Sequence, residues 1–253
     1  MANSRPAVLW GRIAAHAAAA GRRVAVADVC AVAVSSARAG GGWVAAASGR
    51  GPDFVICVTD LVSEQLAEMQ LTLGEGPCHD VLATAAPVLA ADLGDEPSNR
   101  RWPAFTPEAR QLGAAAVYAF PLVIGAIRAG VMGLYHSSPG PLSGPQLGDC
   151  LLLADTATVL LLDGLGDGAG PAADGDGHNA RPARQPPELA VHRAEIDQAT
   201  GMLTVQLGVG ITEAFARLRA YAYTHDRRLA DVAADIVARR LQLHPDATQD
   251  GGR

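Results

Sequence analysis

Lysine is absent from the sequence: all 20 basic residues other than histidine are arginine, against 26 acidic residues. We interpret this absence first as GC-rich codon usage and only second as chemistry. The net charge of −6 argues against a generic, non-specific binder of polyanions. Any contact with nucleic acid must therefore be local.

Long uncharged apolar runs are also missing. The longest candidate, residues 114–127, is too short to span a bilayer and contains Pro121. Arg12 and His16 interrupt the apolar core that a signal peptide at the N-terminus would need. We therefore predict a cytoplasmic protein with no membrane contact.

Cysteine is scarce and scattered. The four cysteines are Cys30, Cys57, Cys78 and Cys150, and no two of them form a CxxC pair. The spacing supports neither structural disulfides nor a zinc site. We predict no metal site and no cofactor.

One segment divides the chain into parts. Residues 163–188 are dense in Gly, Pro, Ala and Asp and cannot bury enough surface to offset their ordering entropy. The alternative, a long surface loop within one domain, is disfavoured because unstructured loops of this length are uncommon. We predict an N-terminal helix over 1–24, a first domain over 25–163, a flexible linker over 164–187, a second domain over 188–243 and a disordered tail over 244–253.

The first domain has the pattern of an α+β fold. Strands are predicted over 30–36, 41–48 and 87–93, helices over 61–74, 106–113 and 145–163, and a hairpin over 115–137. Strands that are interrupted by helices and followed by a hairpin predict an antiparallel sheet with helices on its face.

Three stretches of this domain carry a family resemblance. They are LTLGEGPCHDVLATAAPVLAADL, RRWPAF and AVYAFPLVIGAIRAGVMGLYHSSPGPLS, in that order. Together they resemble GAF domains, in the form found in actinobacterial regulators, from about Ala25 to Leu162. The resemblance implies a domain that senses a small molecule or a partner, with a central antiparallel sheet and a cavity on one side.

Cys78, His79 and Asp80 are consecutive, which raises the question of a catalytic site. Adjacent residues point in different directions, so adjacency alone builds no catalytic dyad, and no GxSxG or HExxH motif accompanies them. We predict a structural turn around Gly74 and Gly76, no catalytic residues and no enzymatic activity. A redox role for Cys78 stays open, because an accessible thiol beside His79 would have a lowered pKa.

Aromatic residues are few, and several lie where a GAF cavity is expected. Trp102 and Tyr118 each add a polar group to an apolar surface, which suits a ligand pocket, and Cys78 and His79 complete the candidate set. The alternative is that these aromatic side chains simply fill the core.

The second domain is helical throughout. Leu189, Ile196 and Leu203 are spaced by seven residues and form a short coiled-coil stripe, while Met202 and Val205 lie on the opposite side. A helix that is apolar on two sides packs against two things. We predict that the stripe is the seam of a homodimer.

Two further helices complete a predicted three-helix bundle. Residues 208–210 end the first helix, Thr212 is expected to cap the second, and a third helix begins at Leu229. The matching family signals are Ala199-x-Gly201-x-Leu203, Ala214-Phe215-x-x-Leu218-Arg219-x-x-Ala222 and Leu229-x-Asp231-Val232-Ala233. They resemble an ANTAR domain, the RNA-binding antitermination module, from about Leu189 to Leu243.

The ANTAR resemblance implies recognition of paired short hairpin loops in a nascent transcript, which prevents a terminator from forming. Unpaired bases are read by planar contacts, which a few arginines and aromatic side chains supply. The predicted RNA-binding residues are Arg217, Arg219, Tyr221, Arg227, Arg228 and Thr200, the last standing where many family members carry a lysine. The alternative is that Tyr221 lies at the core edge and that Arg217 pairs with Glu213.

Two other functions remain as alternatives. The stretch LADVAADIV resembles the first helix of a helix-turn-helix, but no recognition helix is predicted after it, because Pro245 and a polar tail follow. The other alternative is a dimerisation module that binds no nucleic acid.

Overall fold

The computed structural model describes residues 4–47, 54–166, 187–225 and 227–244. The chain divides into two compact units, Met1–Pro186 and Pro187–Arg253.

The N-terminal unit is built on a five-stranded antiparallel sheet. Its strands are β1 (Gly41–Ala46), β2 (Phe54–Val58), β3 (Val88–Ala90), β4 (Ala116–Ile124) and β5 (Ile127–His136), in the spatial order β2-β1-β5-β4-β3. A tight turn joins β4 and β5, with Gly125 at a φ of 58° that favours glycine. The antiparallel sheet that the sequence predicts is confirmed.

Seven helices surround this sheet in the described part of the unit. They are α1 (Arg5–Ala19), α2 (Val26–Ala37), α3 (Leu61–Leu73), α4 (Pro77–Thr84), α5 (Glu96–Arg101), α6 (Phe105–Gln111) and α7 (Gly144–Gly166). Helices α1, α2 and α7 share a core with one face of the sheet. Helices α3 and α4 contact the strands outside that core, on the other face.

The first face holds the main hydrophobic core. Phe120 and Met132 of the sheet pack with Val29 of α2 and with Leu153 and Ala157 of α7, all of them fully buried. By length and composition alone, the segment Gly144–Asp163 of α7 would suffice to cross a membrane. In this structure one side of α7 is buried in the hydrophobic core, and a core helix of a protein can have the same apolar composition.

The second face is organised around Trp43, whose side chain is fully buried. Trp43 of β1 pairs with Gly133 of β5, and a Cβ atom at Gly133 would lie 2.2 Å from the indole ring. Only glycine therefore allows the indole to lie flat against the neighbouring strand.

The C-terminal unit contains α8 (Pro187–Leu207), α9 (Ile211–Thr224) and α10 (Leu229–Val237), which contact one another pairwise. Gly208, at a φ of 67°, ends α8. Alanines at the centre let the helices approach closely, and the fully buried ones are Ala199, Ala214, Ala222 and Ala233. The predicted α+β class with a small helical bundle is confirmed.

Local structure differs from the sequence prediction at five places, and one of them is helix α5 (Glu96–Arg101), which was not predicted. Residues 30–36, predicted as a strand, lie in α2, where burial against the sheet outweighs the β preference of their small and β-branched side chains. The predicted turn after Gly76 continues as α4, which starts at Pro77. Strand β2 was not predicted. Thr212 is not the cap of α9, because the helix already begins at Ile211.

We expect Gly133→Ala to lower the free energy of unfolding by about 1–3 kcal/mol, the usual cost of overpacking a core. The added methyl would meet the Trp43 ring at 2.2 Å. Gly148→Ala is the matched control, because a Cβ there meets nothing within 4 Å on an exposed face of α7. That variant should gain about 0.5–1 kcal/mol. Urea unfolding measures both, and equal stabilities would contradict the close contact.

Asp28 generates a prediction for pH dependence, because its carboxylate is fully buried. Burial raises its pKa, but hydrogen bonds from His16, Arg22 and the Ala25 backbone N–H outweigh burial and lower it. This stabilisation is complete above the unfolded pKa of about 3.9 and is lost as pH falls through the lower folded value. Asp28→Asn should therefore cost about 1–3 kcal/mol at pH 7. In urea unfolding, the stability difference between the parent and the variant should shrink at acid pH. A difference that stays constant with pH would contradict this role of Asp28.

Candidate functional site

Two aromatic rings stack on the surface of α9. The centroids of the Tyr221 and His225 rings are 3.9 Å apart, and the ring planes meet at 16°. Nδ1 of His225 lies 2.9 Å from the Tyr221 carbonyl oxygen, which fixes the imidazole one turn along the helix. His225 is exposed and Tyr221 is half-buried, so the pair presents aromatic surface to solvent.

Two arginines share one carboxylate of α10. Asp235 of α10 accepts hydrogen bonds from Arg227 at 2.6 Å and from Arg240 at 2.7 Å. These hydrogen bonds lower the pKa of Asp235, and the bond that Arg227 donates to Asp235 raises the pKa of Arg227. Arg227 is also close enough to Tyr221 to interact electrostatically with it. The trio keeps one net positive charge next to the ring pair.

Arg217 lies one helical turn before Tyr221, on the same side of α9. Its guanidinium forms an ion pair with Glu213 at 2.8 Å, as the alternative interpretation predicts. Surface pairs of this kind contribute about 0–1 kcal/mol, so a phosphate group can compete for the arginine. We call Arg217, Tyr221, His225, Arg227 and Arg240 together the stacking platform.

Arg219 is directed to a different side of α9. Positions 219 and 221 are two residues apart, and side chains with that spacing do not share a helix face. The Arg219 guanidinium carbon lies 5.7 Å from the centroid of the Phe215 ring, and burial lowers its pKa. Arg219 and Tyr221, both predicted to bind RNA, therefore lie on different sides of α9.

The other two predicted RNA-binding residues lie outside the platform. Thr200 is 5% exposed, and its hydroxyl donates a hydrogen bond to the Ile196 carbonyl at 2.7 Å, so it is not presented to a ligand. Arg228 is exposed and is the residue that precedes α10.

The predicted dimer seam follows the inner face of α8. Ile196 is 8% exposed and Leu203 is fully buried within the unit. Neither side chain can reach a second copy unless the bundle opens. The side chain of Leu189 lies outside the described residues.

In the N-terminal unit, Trp102 is held at the junction of α4 and α5. It is 3% exposed, and its indole N–H donates to the Asp80 carboxylate at 2.9 Å. Arg101 binds the same carboxylate oxygen at 2.6 Å, and its guanidinium carbon lies 5.0 Å from the centroid of the Trp102 ring. Trp102 therefore joins α4 and α5, whether or not it also contacts a ligand.

Cys78 is 1% exposed, so its thiol is not accessible. Burial raises its pKa to about 12, although hydrogen bonds with Trp43 and Gln70 act in the opposite direction. The lowered pKa that a redox role would need is therefore absent, which corrects that expectation. His79 is turned toward α3, with Nε2 3.0 Å from the Gln70 carbonyl oxygen.

Tyr118 lies on the other face of the sheet, in the core formed with α2 and α7. Its hydroxyl donates a hydrogen bond to the Gly140 carbonyl, and its ring meets His136 edge-on with centroids 5.2 Å apart. The structure therefore does not bring Tyr118 together with Trp102, Cys78 and His79, and the four residues do not line one pocket.

Sequence reasoning missed His225, Asp235 and Arg240. The Tyr221–His225 pair carried a signal, because residues four apart share a face once α9 extends that far. Asp235 and Arg240 meet Arg227 only through the packing of α10, so no local spacing in the sequence predicts their contact.

Comparison with known proteins identifies both units. Residues 13–161 match the GAF domain family, and residues 189–237 match the ANTAR domain family. No relative among the curated proteins matches the chain.

Similar solved structures are GAF domains with low sequence identity. One, from a phosphoenolpyruvate-protein phosphotransferase of Coxiella burnetii, is 15% identical, with 66% of this chain and 99% of that chain covered and a TM-score of 0.49. Its counterpart from Acinetobacter is 11% identical, with 64% and 97% covered and a TM-score of 0.47. The GAF-B domain of DevS from Mycobacterium smegmatis is 19% identical, with 56% and 93% covered and a TM-score of 0.40.

The GAF match spans more than half of the chain, and the ANTAR match covers all three helices of the C-terminal unit at least in part. ANTAR domains are RNA-binding antitermination modules and GAF domains are sensors, so neither family is catalytic. The chain therefore belongs to the GAF domain family and, with its C-terminal ANTAR domain, is a GAF–ANTAR domain regulator.

Proposed function

We propose that this regulator binds hairpin loops of a nascent transcript through the stacking platform and thereby prevents a terminator from forming. Two copies acting together would engage two loops of one RNA. The second contact would then gain avidity that a single, nearly neutral module lacks.

The stacked rings of Tyr221 and His225 carry this proposal. Single-stranded bases are bound by stacking on aromatic side chains, combined with local positive charge along the backbone. Arg227 brings that charge close to Tyr221. Asp235 holds the guanidiniums of Arg227 and Arg240 together at 2.6–2.7 Å. Such a local arrangement suits a protein whose overall charge is negative.

DNA binding of the helix-turn-helix kind is less well supported. That mode needs a recognition helix after the first helix of the motif. Up to His244, where the described part of the chain ends, no helix follows α10.

For the sensor domain, we propose input from a ligand or partner near α4 and α5, where Trp102, Cys78 and His79 lie. Arg101 and Asp80 are accessible here and lie next to Trp102, with side chains 53% and 30% exposed. A bound group that competes for their ion pair would loosen the contact that Asp80 makes with Trp102. Loss of this contact would be the structural change that binding produces in the domain.

We propose that two copies pair through the first turns of α8. At about 1.5 Å per residue, α8 with 21 residues is about 10 Å longer than α9 with 14 residues. The seven-residue stripe that includes Ile196 and Leu203 in the bundle extends by spacing to position 189. An apolar stripe that continues beyond its own bundle suits a matching helix.

Tyr221→Leu tests the platform. It removes the ring and keeps an apolar side chain, so the helix should persist. We expect binding of a two-hairpin RNA, recovered from cells by crosslinking and sequencing, to weaken by about 1–3 kcal/mol, the value of one base–aromatic stack. Filter binding with the full chain measures the change.

Tyr223→Leu is the matched control. Tyr223 is 58% exposed and two residues away, so it points to another side of α9. Its loss should change affinity little. If both variants bound the RNA as tightly as the parent chain, the platform would have no part in recognition.

Leu189→Glu tests the dimer. A charge placed against an apolar partner is costly, so we expect monomers in analytical ultracentrifugation, with helix content retained. Leu203→Glu is the contrasting variant, because it buries a charge inside the bundle and should unfold the unit instead. A Leu189→Glu protein that sediments like the parent dimer would exclude this seam.

A further inference from the structure

A second surface of the ANTAR domain forms a groove of about 660 Å³ between α8 and the segment that follows α10. This volume lies in the range of about 300–1,000 Å³ that is typical of ligand sites. Apolar and polar groups line it together: Gly201, Met202, Val205, Ile236 and Leu241, with Gln198, Gln206, Arg239 and Gln242. The groove is distinct from the stacking platform, and no residue is common to both.

The polar lining residues differ in what they do for the fold. Gln206 uses its amide N–H to donate to the Leu243 carbonyl at 2.6 Å, which fixes the wall of the groove. Gln198, Gln242 and Arg239 are exposed. In the described part of the chain, no hydrogen bond or ion pair engages the Arg239 guanidinium. Two amides and a guanidinium are thus available above an apolar floor.

Gly201 is a poor choice for the stability of α8. Glycine inside a helix is less stable than alanine, and a Cβ atom at position 201 would meet nothing within 4 Å. Packing within the domain therefore does not require this glycine. Gly11 and Gly148 are similarly open, but Gly201 lies in a groove. Its missing side chain leaves room for an external group to approach the helix backbone.

Arg239 is the opposite case. Its φ is 57°, in the left-handed region that favours glycine after a helix end. An arginine there costs backbone energy, and no internal contact of its guanidinium in the described residues offsets that cost. Residues that act against local stability are expected at functional sites. Gly201 and Arg239 line the same groove. Alanine would be more stable than glycine at position 201, and glycine would be more stable than arginine at position 239.

We propose that this groove receives one unpaired nucleobase of the bound RNA loop. The base would lie over Gly201 between the side chains of Met202 and Val205, and its edge would meet the Gln198 or Gln242 amide and the Arg239 guanidinium. Amides and arginine are the side chains that read base edges through paired hydrogen bonds. The inference rests on the proposed RNA binding and adds to it the site of base selection.

A base fits this groove better than a second copy of the chain. Val205 is 86% exposed, so an apolar partner would gain from covering it. However, an apolar helix would leave the amides and the guanidinium without partners, which is unfavourable. A nucleobase has an apolar face and a polar edge, and the backbone of its nucleotide carries a phosphate that Arg239 can also meet.

The test uses two variants of the full chain that should be at least as stable as the parent. Gly201→Leu fills the floor of the groove and improves helix propensity. Arg239→Gly relieves the backbone at φ 57° and removes the guanidinium. The probe is a pool of RNA hairpins with a constant stem and a randomised loop. We expect each variant to bind the selected hairpins about tenfold more weakly, and sequencing to show relaxed preference at one loop position, with no fall in the urea midpoint.

The N-terminal unit supplies a matched control for each variant. Arg38→Gly removes the same charge at an equivalent backbone position, with φ 55°, and Gly148→Leu fills an open helical glycine. Neither should change RNA affinity. Selection of no hairpins by the parent chain would overturn the proposed function itself. Selection of hairpins with unchanged affinity and loop preference in both variants would overturn the groove alone. A changed sedimentation coefficient in either variant would assign the groove to a second copy instead.

Discussion

The sheet of the GAF domain depends on the contact between the Trp43 indole and the Gly133 backbone. Because glycine has no side chain, the indole fills the space where β1 and β5 face α3 and α4, and Cys78 packs against it. This explains the state of Cys78: its thiol is buried beside the Trp43 indole, and its pKa rises to about 12. With Cys78 buried, Arg101 and Asp80 remain accessible to a bound group on this side of the sheet.

Charge is used sparingly in the ANTAR domain. Asp235 holds two arginines at once, so these guanidiniums are oriented without neutralising the surface. Because Arg227 lies close to Tyr221, a negatively charged protein gains a small positive surface near the Tyr221–His225 rings. Affinity from such a surface depends on geometry more than on net charge, which is why the position of each ring and guanidinium matters.

The helical bundle combines two kinds of packing. Alanines at its centre let α8, α9 and α10 approach closely, and larger side chains such as Leu203, Leu218 and Ile236 fill the rest of the core. Outside this core, α8 keeps an exposed apolar side at Val205, beside Gly201 and the guanidinium of Arg239. The proposed base groove and the stacking platform would then contact one RNA loop at two separate places.

The sequence by itself determined the antiparallel sheet, the three C-terminal helices and the family resemblance, because apolar periodicity and Gly breaks such as Gly74 and Gly208 are local signals. It also indicated the ion pair of Arg217 with Glu213, since residues four apart lie on the same face of one helix. The tertiary structure alone decided that residues 30–36 are helical, because burial against the sheet outweighs their intrinsic preference. It also decided that Trp102 and Tyr118 lie on opposite faces and that Asp235 joins Arg227 to Arg240. These placements depend on how elements that are distant in the sequence pack together. No spacing along the chain predicts such packing.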